Sequence, residues 1–465
     1  MTKPQLIQIT YHRKTGETMR TFLFSLLLLF SFIAYFVNAD AFDAETHHGT
    51  SLPRSVDWLC GTPELMPDEP PLRVPHLPEI PAAPAPEVHL GDIARFYSHI
   101  PEQLVKGTCI AIGEHIYIYI ENSVKDVISE AEAQEIAAEF DSRIYPQVQR
   151  WMGPEWKPGL DRDGRVTLLM HDVGANGSSQ DFGGYFSPTD ERPTELNSNR
   201  REMVFMDVFL FRERPRFTFY SSLAHEFAHL ISWYQHGGTS EQRWLEEGMA
   251  SFTEWAVYGN VHTIFVEGYL KDASISLTSG NTADVYYGAT FTLLLYLFEN
   301  YGGVELIREL VRQKTLGTIG IDAALATSGK AERFADVLQN WAMANFINDP
   351  RQGALFGYQN LPERFKVSAE VQQVSSYPTR RSDSLNDWGV RYVTFRNLPR
   401  QLDIALDGTG EGALYAQVAH LPNPGASTLH PIRFDENNNG RVVLNNLDPA
   451  DRVILMVTTT AAQSF

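Results

Sequence analysis

Phe219-Tyr220-Ser221-Ser222-Leu223-Ala224-His225-Glu226-Phe227-Ala228-His229-Leu230-Ile231-Ser232-Trp233-Tyr234-Gln235-His236 is the stretch on which the reading of this chain turns. Leu223, Phe227, Leu230, Ile231 and Tyr234 recur at helical spacing, while Ser222, His225, His229 and His236 share the other side. Ser221 or Ser222 is suited to cap the start of such a helix, and Gly237-Gly238 to end it in a left-handed conformation. The two histidines then stand one turn apart on one face, where a single Zn²⁺ can take a nitrogen from each. Glu226 lies beside them, placed to act as general base toward a water that the metal polarises.

A catalytic zinc keeps three protein ligands, so a third is required. Trp244-Leu245-Glu246-Glu247-Gly248-Met249-Ala250-Ser251 offers two adjacent carboxylates. With these residues the chain resembles the gluzincin metallopeptidases, the group holding thermolysin and aminopeptidase N, whose third ligand is a glutamate downstream of the His-Glu-x-x-His helix. Aligned on Trp-Leu-x-Glu-Gly, the resemblance implies Glu247 as that ligand. Glu246, about 100° away around the helix, is expected in solvent. Thermolysin carries an aspartate four positions after its glutamate to orient a zinc histidine, and this chain has Ser251 there. Either that hydroxyl or Glu254, one turn further on, is then expected to accept the imidazole N–H.

Within the gluzincins, Asp163 to Met170, Gly183-Gly184-Tyr185-Phe186, Arg201 to Asp207 and Tyr287-Gly288-Ala289 resemble blocks of the hyicolysin-type neutral zinc metallopeptidases, over roughly residues 110 to 365. The resemblance implies an α+β fold with a thermolysin-like, zincin catalytic domain, one catalytic Zn²⁺, and protein or peptide substrates. Val285-Tyr286-Tyr287-Gly288 resembles the Tyr-x-Lys-Gly stretch of aminopeptidase N-type enzymes, whose tyrosine donates to the tetrahedral oxyanion. The lysine is absent here. Tyr286 and Tyr287 are therefore both candidates, Tyr286 slightly favoured, with aromatic packing at a helix start as the alternative. His115, His171 and His262 receive no role.

The chain has 465 residues, 43% hydrophobic, with a net charge of −19, enough for a large core and two or three domains. Such acidity argues against nucleic acid and anionic membrane surfaces as partners. Lys3, Arg13, Lys14 and Arg20 precede an apolar run from Thr21 to Val37 and the small residues Asn38-Ala39-Asp40-Ala41. This is the pattern of a signal peptide over 1–39, with a true start at Met19 as an alternative, and it implies a secreted or periplasmic protein without stable membrane association. An uncleaved anchor is the competing reading, for a run somewhat short to span a bilayer.

Cys60 and Cys109 are the only cysteines. Export would place them in an oxidising compartment, so a disulfide is expected, worth about 4 kcal/mol in the chain-entropy model. Two isolated thiols are the alternative. Residues 62–88 carry Pro63, Pro67, Pro70, Pro71, Pro75, Pro78, Pro81, Pro84 and Pro86, which exclude a helix or a central strand. The extension over 40–107 reads as an extended linker or wrapping arm. A propeptide covering the site competes with it, for which the segment offers no support such as a cysteine free to block the metal.

The catalytic domain is expected over 108–370. Ile116 to Ile120 alternates as a strand, Ser129 to Tyr145 reads as a helix, Arg165 to Met170 as a buried strand, and Glu202 to Val208 as a sheet-edge strand on which an extended peptide could add. Over 371–465 short alternating runs such as Val390 to Phe395, Leu402 to Leu406 and the apolar Val453 to Val457 indicate a C-terminal all-β, sandwich-like domain. Asp435 to Gly440 and Asp161 to Gly164 copy the first half of a calcium loop. Asx-rich turns account for them better, leaving Ca²⁺ weakly supported. The reading is an exported zinc endopeptidase. A metalloaminopeptidase, with Glu202 binding the substrate amine, and a non-enzymatic surface or adhesion protein are the alternatives.

Overall fold

The computed structural model describes residues 6–9, 59–66, 77, 87–174, 182–278, 283–368, 371–409, 412–460 and 463–464. Most of the expected leader and much of the proline-rich arm lie outside them. Among the described residues no helix is long and apolar enough to cross a membrane.

A seven-stranded sheet carries the first half of the chain. Its order is Leu59–Cys60, Phe182–Phe186, Met203–Asp207, Val166–His171, Ile116–Glu121, Glu102–Ile112 and Ile93–His99. Leu59–Cys60 and Ile93–His99 both lie ahead of residue 108, the expected domain start. The alternation of Ile116 to Ile120 has a direct structural meaning. Ile116, Ile118 and Ile120 join the main core with Leu168, Met170, Val204 and Met206, whereas Tyr117 and Tyr119 face a second apolar cluster with Phe96, Leu169 and Phe205. The helices cover the first of these faces.

One expectation about the sheet is wrong. Met203–Asp207 is an interior strand, bonded on one side to Val166–His171 and on the other to Phe182–Phe186. The latter strand would be the edge, and Leu59–Cys60 pairs with it in parallel. The signal is weak there because Gly183 and Gly184 dilute the strand pattern. Their smallness has a use: a Cβ on Gly184 would lie 2.7 Å from the Phe205 carbonyl oxygen and 3.2 Å from Glu226 Cγ. Glycine lets this strand approach the helix Arg216–Gln235.

That helix is longer than its presumed caps imply. It starts after Pro215, so neither Ser221 nor Ser222 caps it. Its end follows expectation, with Gly237 and Gly238 at φ 76° and 88°. Ser129 caps the helix Glu130–Glu139 through a reciprocal arrangement with Glu132. In the arm, Thr62–Leu65 forms one short helical turn against the expectation of none. Pro63 sits in its first turn, where the missing N–H costs nothing.

Helix Arg243–Tyr258 packs on Arg216–Gln235 and on Ala283–Leu297. The contact with the latter passes over Gly248, where an added Cβ would lie 2.2 Å from Thr290 Cγ2. Helices Thr263–Lys271, Gly303–Arg312, Gly317–Thr327 and Phe334–Ile347 complete this layer.

Beyond residue 371 the chain is all β. Five strands run in the order Thr428–Ile432, Leu414–Leu421, Arg452–Thr459, Val390–Phe395, Gln372–Val374. A second sheet pairs Gln401–Asp407 with Asn439–Asn445 and, in parallel, with Leu6–Ile9. The apolar run Val453 to Val457 is buried on both faces. Ile454 and Met456 join the helical core, while Val453, Leu455 and Val457 pack toward the second sheet. Tyr392 donates to the Ala342 carbonyl (2.7 Å), tying this sheet to helix Phe334–Ile347. The architecture is α+β. The two aspartate-rich loops are Asx turns: Asp435 Oδ1 accepts from the backbone of Asn437 and Asn439 (2.9 and 2.8 Å), and Asp161 Oδ1 from Asp163 (2.9 Å).

Gly248→Ala forces Thr290 or the helix to shift, and overpacking of this kind costs about 1–3 kcal/mol. The thermal midpoint should fall by several degrees, measured by circular dichroism; an unchanged midpoint would show that the helix pair is looser than described.

Candidate metal centre

Helix periodicity and one close helix contact bring the three candidate ligands together. His225 Nε2 lies 3.2 Å from Glu247 Oε2, and His229 Nε2 lies 3.4 Å from Glu247 Oε1. Donors bound tetrahedrally to one zinc at 2.0–2.1 Å stand about 3.3 Å apart. Glu247 therefore stands at zinc spacing from each imidazole, and one donor atom from each of the three lies within 4.8 Å of the others. Glu247 is fully buried, and its Oε1 has no hydrogen-bond partner among the described residues. A buried carboxylate oxygen in that condition is costly unless a cation takes it. Burial disfavours its charge, but His229, His225 and the Tyr287 hydroxyl outweigh burial and hold it below the ordinary carboxylate value.

Both imidazoles are oriented from behind. His225 Nδ1 is 2.8 Å from Glu254 Oε1, so the carboxylate takes the orienting role for which Ser251 was the other candidate. Glu254 is itself held by Ser221 Oγ (2.5 Å), Asn260 Nδ2 (2.9 Å) and His262 Nε2 (2.9 Å). Glu246 departs from expectation. It is 3% exposed, not solvated, and its Oε1 lies 3.0 Å from His229 Nδ1 while Ser232 Oγ donates to Oε2 (2.9 Å). Rotation by about 100° turns it away from the metal but toward the other histidine's back. Helix Arg243–Tyr258 is buried around its whole circumference here, which a two-faced reading could not register.

Glu226 is 2% exposed. Burial pushes its carboxyl up from the ordinary value, opposed by His225 and His229. Its Oε2 accepts from Thr62 Oγ1 (3.0 Å) and lies 3.6 Å from Cys60 Sγ. Cys60 Sγ is also 3.5 Å from His229 Nε2. The donor atoms of Cys60, His225, His229 and Glu247 all fall within 4.8 Å of one another. The expected disulfide is thus absent: both cysteines are free, and Cys109 is buried in the sheet with its thiol toward the Ala111 carbonyl.

A narrow cleft opens at this centre, lined by His225, Glu226, Glu254, His262, Phe265 and Tyr287 together with Cys60, Gly183, Gly184 and Ser222. Tyr287 is in the cleft wall, 6% exposed. The Tyr286 side chain lies outside the described residues. His262, given no role by the sequence, borders the cleft. Only its proximity to Glu254 in space reveals it. His115 stacks on Tyr145, and His171 is wholly buried, pushed down to about 3 by desolvation; neither borders the cleft. Glu202 is also elsewhere: its Oε1 accepts from Leu160 N (2.7 Å) and burial pushes it up to about 8.

No protein-family model matches the sequence, and no curated protein does. Yeast LTA4 hydrolase, solved in complex with bestatin, is similar at 15% identity and a TM-score of 0.30 over 44% of this chain and 32% of its own. This chain therefore matches about a third of that protein's length. A functionally unknown conserved protein from Bacillus anthracis str. Ames is similar at 9% identity and a TM-score of 0.27, over 72% of this chain and 71% of its own. Likenesses this slight carry no argument, and the site is judged on its geometry.

Removing either backing carboxylate, by Glu246→Ala or Glu254→Ala, should weaken zinc about 10–100-fold, while Glu247→Ala should weaken it further. Competition with a chromogenic chelator reads all three. A loss for Glu246→Ala as large as that for Glu247→Ala would exchange the roles of the two residues.

Proposed function

We propose that this protein is an exported zinc-dependent endopeptidase of the gluzincin type, with a thermolysin-like catalytic domain closest to the hyicolysin-type neutral zinc metallopeptidases. The observation that carries the reading is the meeting of His225, His229 and Glu247 at zinc spacing with Glu226 alongside. His225, His229 and Glu247 would hold the zinc, which would supply a Lewis acid to polarise water and the scissile carbonyl. Glu254 and Glu246 fix the two imidazoles, each accepting from an Nδ1–H so that Nε2 is free to bind. Glu226, its affinity for a proton raised by burial, accepts one from the attacking water and returns it to the leaving amine. Tyr287, in the cleft wall, would donate to the oxygen on which charge develops, and Tyr286 stays the other candidate for that role.

Endopeptidase action is favoured over aminopeptidase action by the acidic residues of the cleft. Glu226 and Glu254 are the carboxylates in its lining, and both are engaged. Glu202, the candidate for gripping a substrate's amino group, is buried against Leu160 instead. Export rests on the leader pattern of residues 1–39.

Tests are best made in a chain carrying Cys60→Ser, which takes the thiol away from Glu226. There Glu226→Gln should retain zinc and lose peptide hydrolysis by orders of magnitude. Tyr287→Phe should lower kcat by roughly 10²–10³ with KM little changed. Appreciable turnover by zinc-loaded Glu226→Gln would mean that another group is the base. N-acetylated peptides should be cut as fast as free ones; cleavage confined to free amino termini would establish the aminopeptidase instead.

A further inference from the structure

We propose that Cys60 is a fourth ligand to the zinc and that the arm bearing it holds the full-length chain latent, an inference that rests on the zinc-peptidase reading above. The spacing is quantitative. A sulfur at about 2.3 Å and a nitrogen at about 2.05 Å from one tetrahedral zinc lie about 3.6 Å apart. Cys60 Sγ stands 3.5 Å from His229 Nε2. Four protein ligands close a zinc site, whereas catalysis needs one position open to water.

Closure of the metal is one of three blocks made by the same short segment. Thr62 Oγ1, 1% exposed, donates to Glu226 Oε2 (3.0 Å) and accepts from Phe186 N (2.8 Å), so the base is tied down. Leu59–Cys60 runs along Phe182–Phe186, and Gly61 N donates to the Gly184 carbonyl (2.9 Å). This covers the edge on which an extended peptide would add a strand. A site whose only purpose was to hold structural zinc would have no need to engage the base and the sheet edge as well.

The fit depends on the small residue between Cys60 and Thr62. A Cβ on Gly61 would lie 2.8 Å from Ile100 Cδ1 and 3.2 Å from Tyr185 Cβ. Because the arm is part of the chain, its thiol is presented at an effective concentration of roughly millimolar or more, enough to compete with peptide substrates.

The thiol, taken from sequence as half of a disulfide, is instead what a blocking propeptide would carry.

The direct test is spectroscopic. The full-length chain loaded with Co²⁺ in place of Zn²⁺ should show a near-ultraviolet thiolate-to-cobalt charge-transfer band, absent from Cys60→Ser. No band in the parent, or an equal band in the variant, overturns the proposal whatever the activity. In parallel, zinc-loaded Cys60→Ser should hydrolyse a denatured protein substrate roughly tenfold or more faster than the parent. An organomercurial that captures the thiol should raise the parent to the variant's rate and leave the variant unchanged. Equal rates for untreated parent and variant overturn the latch. A sulfur band with no hydrolysis by any form would instead sink the peptidase reading while keeping Cys60 as a ligand.

Discussion

Four glutamates, Glu226, Glu246, Glu247 and Glu254, are each at most 3% exposed and gather around His225 and His229. Burying so much negative charge is prohibitive unless something positive compensates it. The two imidazoles are the positive groups placed to meet the need. Burial lowers their proton affinity, but for His225 the Cys60 and carboxylate neighbours, and for His229 Glu247 first of all, more than reverse it and lift both well above their ordinary values. A divalent cation would displace those protons and supply the charge directly. The close approach of Gly184 to Glu226 and the backing of each histidine both serve this one electrostatic constraint.

The division of labour among adjacent carboxylates follows from helix geometry. Glu246 and Glu247 are neighbours in sequence yet face different parts of the same centre, one behind His229 and one in front of both rings. Glu254, two turns on from Glu247, reaches the back of His225. Two helices thus provide the three candidate ligands, the base and the two carboxylates behind the imidazoles, while the thiol, Thr62, Asn260, His262 and Tyr287 come from elsewhere.

What the sequence reveals and what it hides divide along the range of the interaction. His225, Glu226 and His229 are legible because a helical period places them, Glu247 only through the resemblance to the gluzincins, and Glu254 because it lies one turn beyond Ser251. Ile116 to Ile120 and Val453 to Val457 are legible because strand alternation survives in them. Glu246 is misread since helix Arg243–Tyr258 is buried on every side. The strand Phe182–Phe186 escapes because two glycines blur its pattern. Cys60 is misassigned for a different reason: nothing local says which distant partner a thiol meets, and the fold keeps both thiols free, with Cys109 in an apolar cluster of the sheet.

The central claim concerns the atoms around one metal ion. X-ray absorption at the zinc edge of the full-length, zinc-loaded protein reads them without reference to activity. The predicted spectrum contains one sulfur at about 2.3 Å and three nitrogen or oxygen scatterers at about 2.0–2.1 Å, with the multiple scattering of two imidazoles. A shell made only of nitrogen and oxygen, or one without imidazole, would contradict the account.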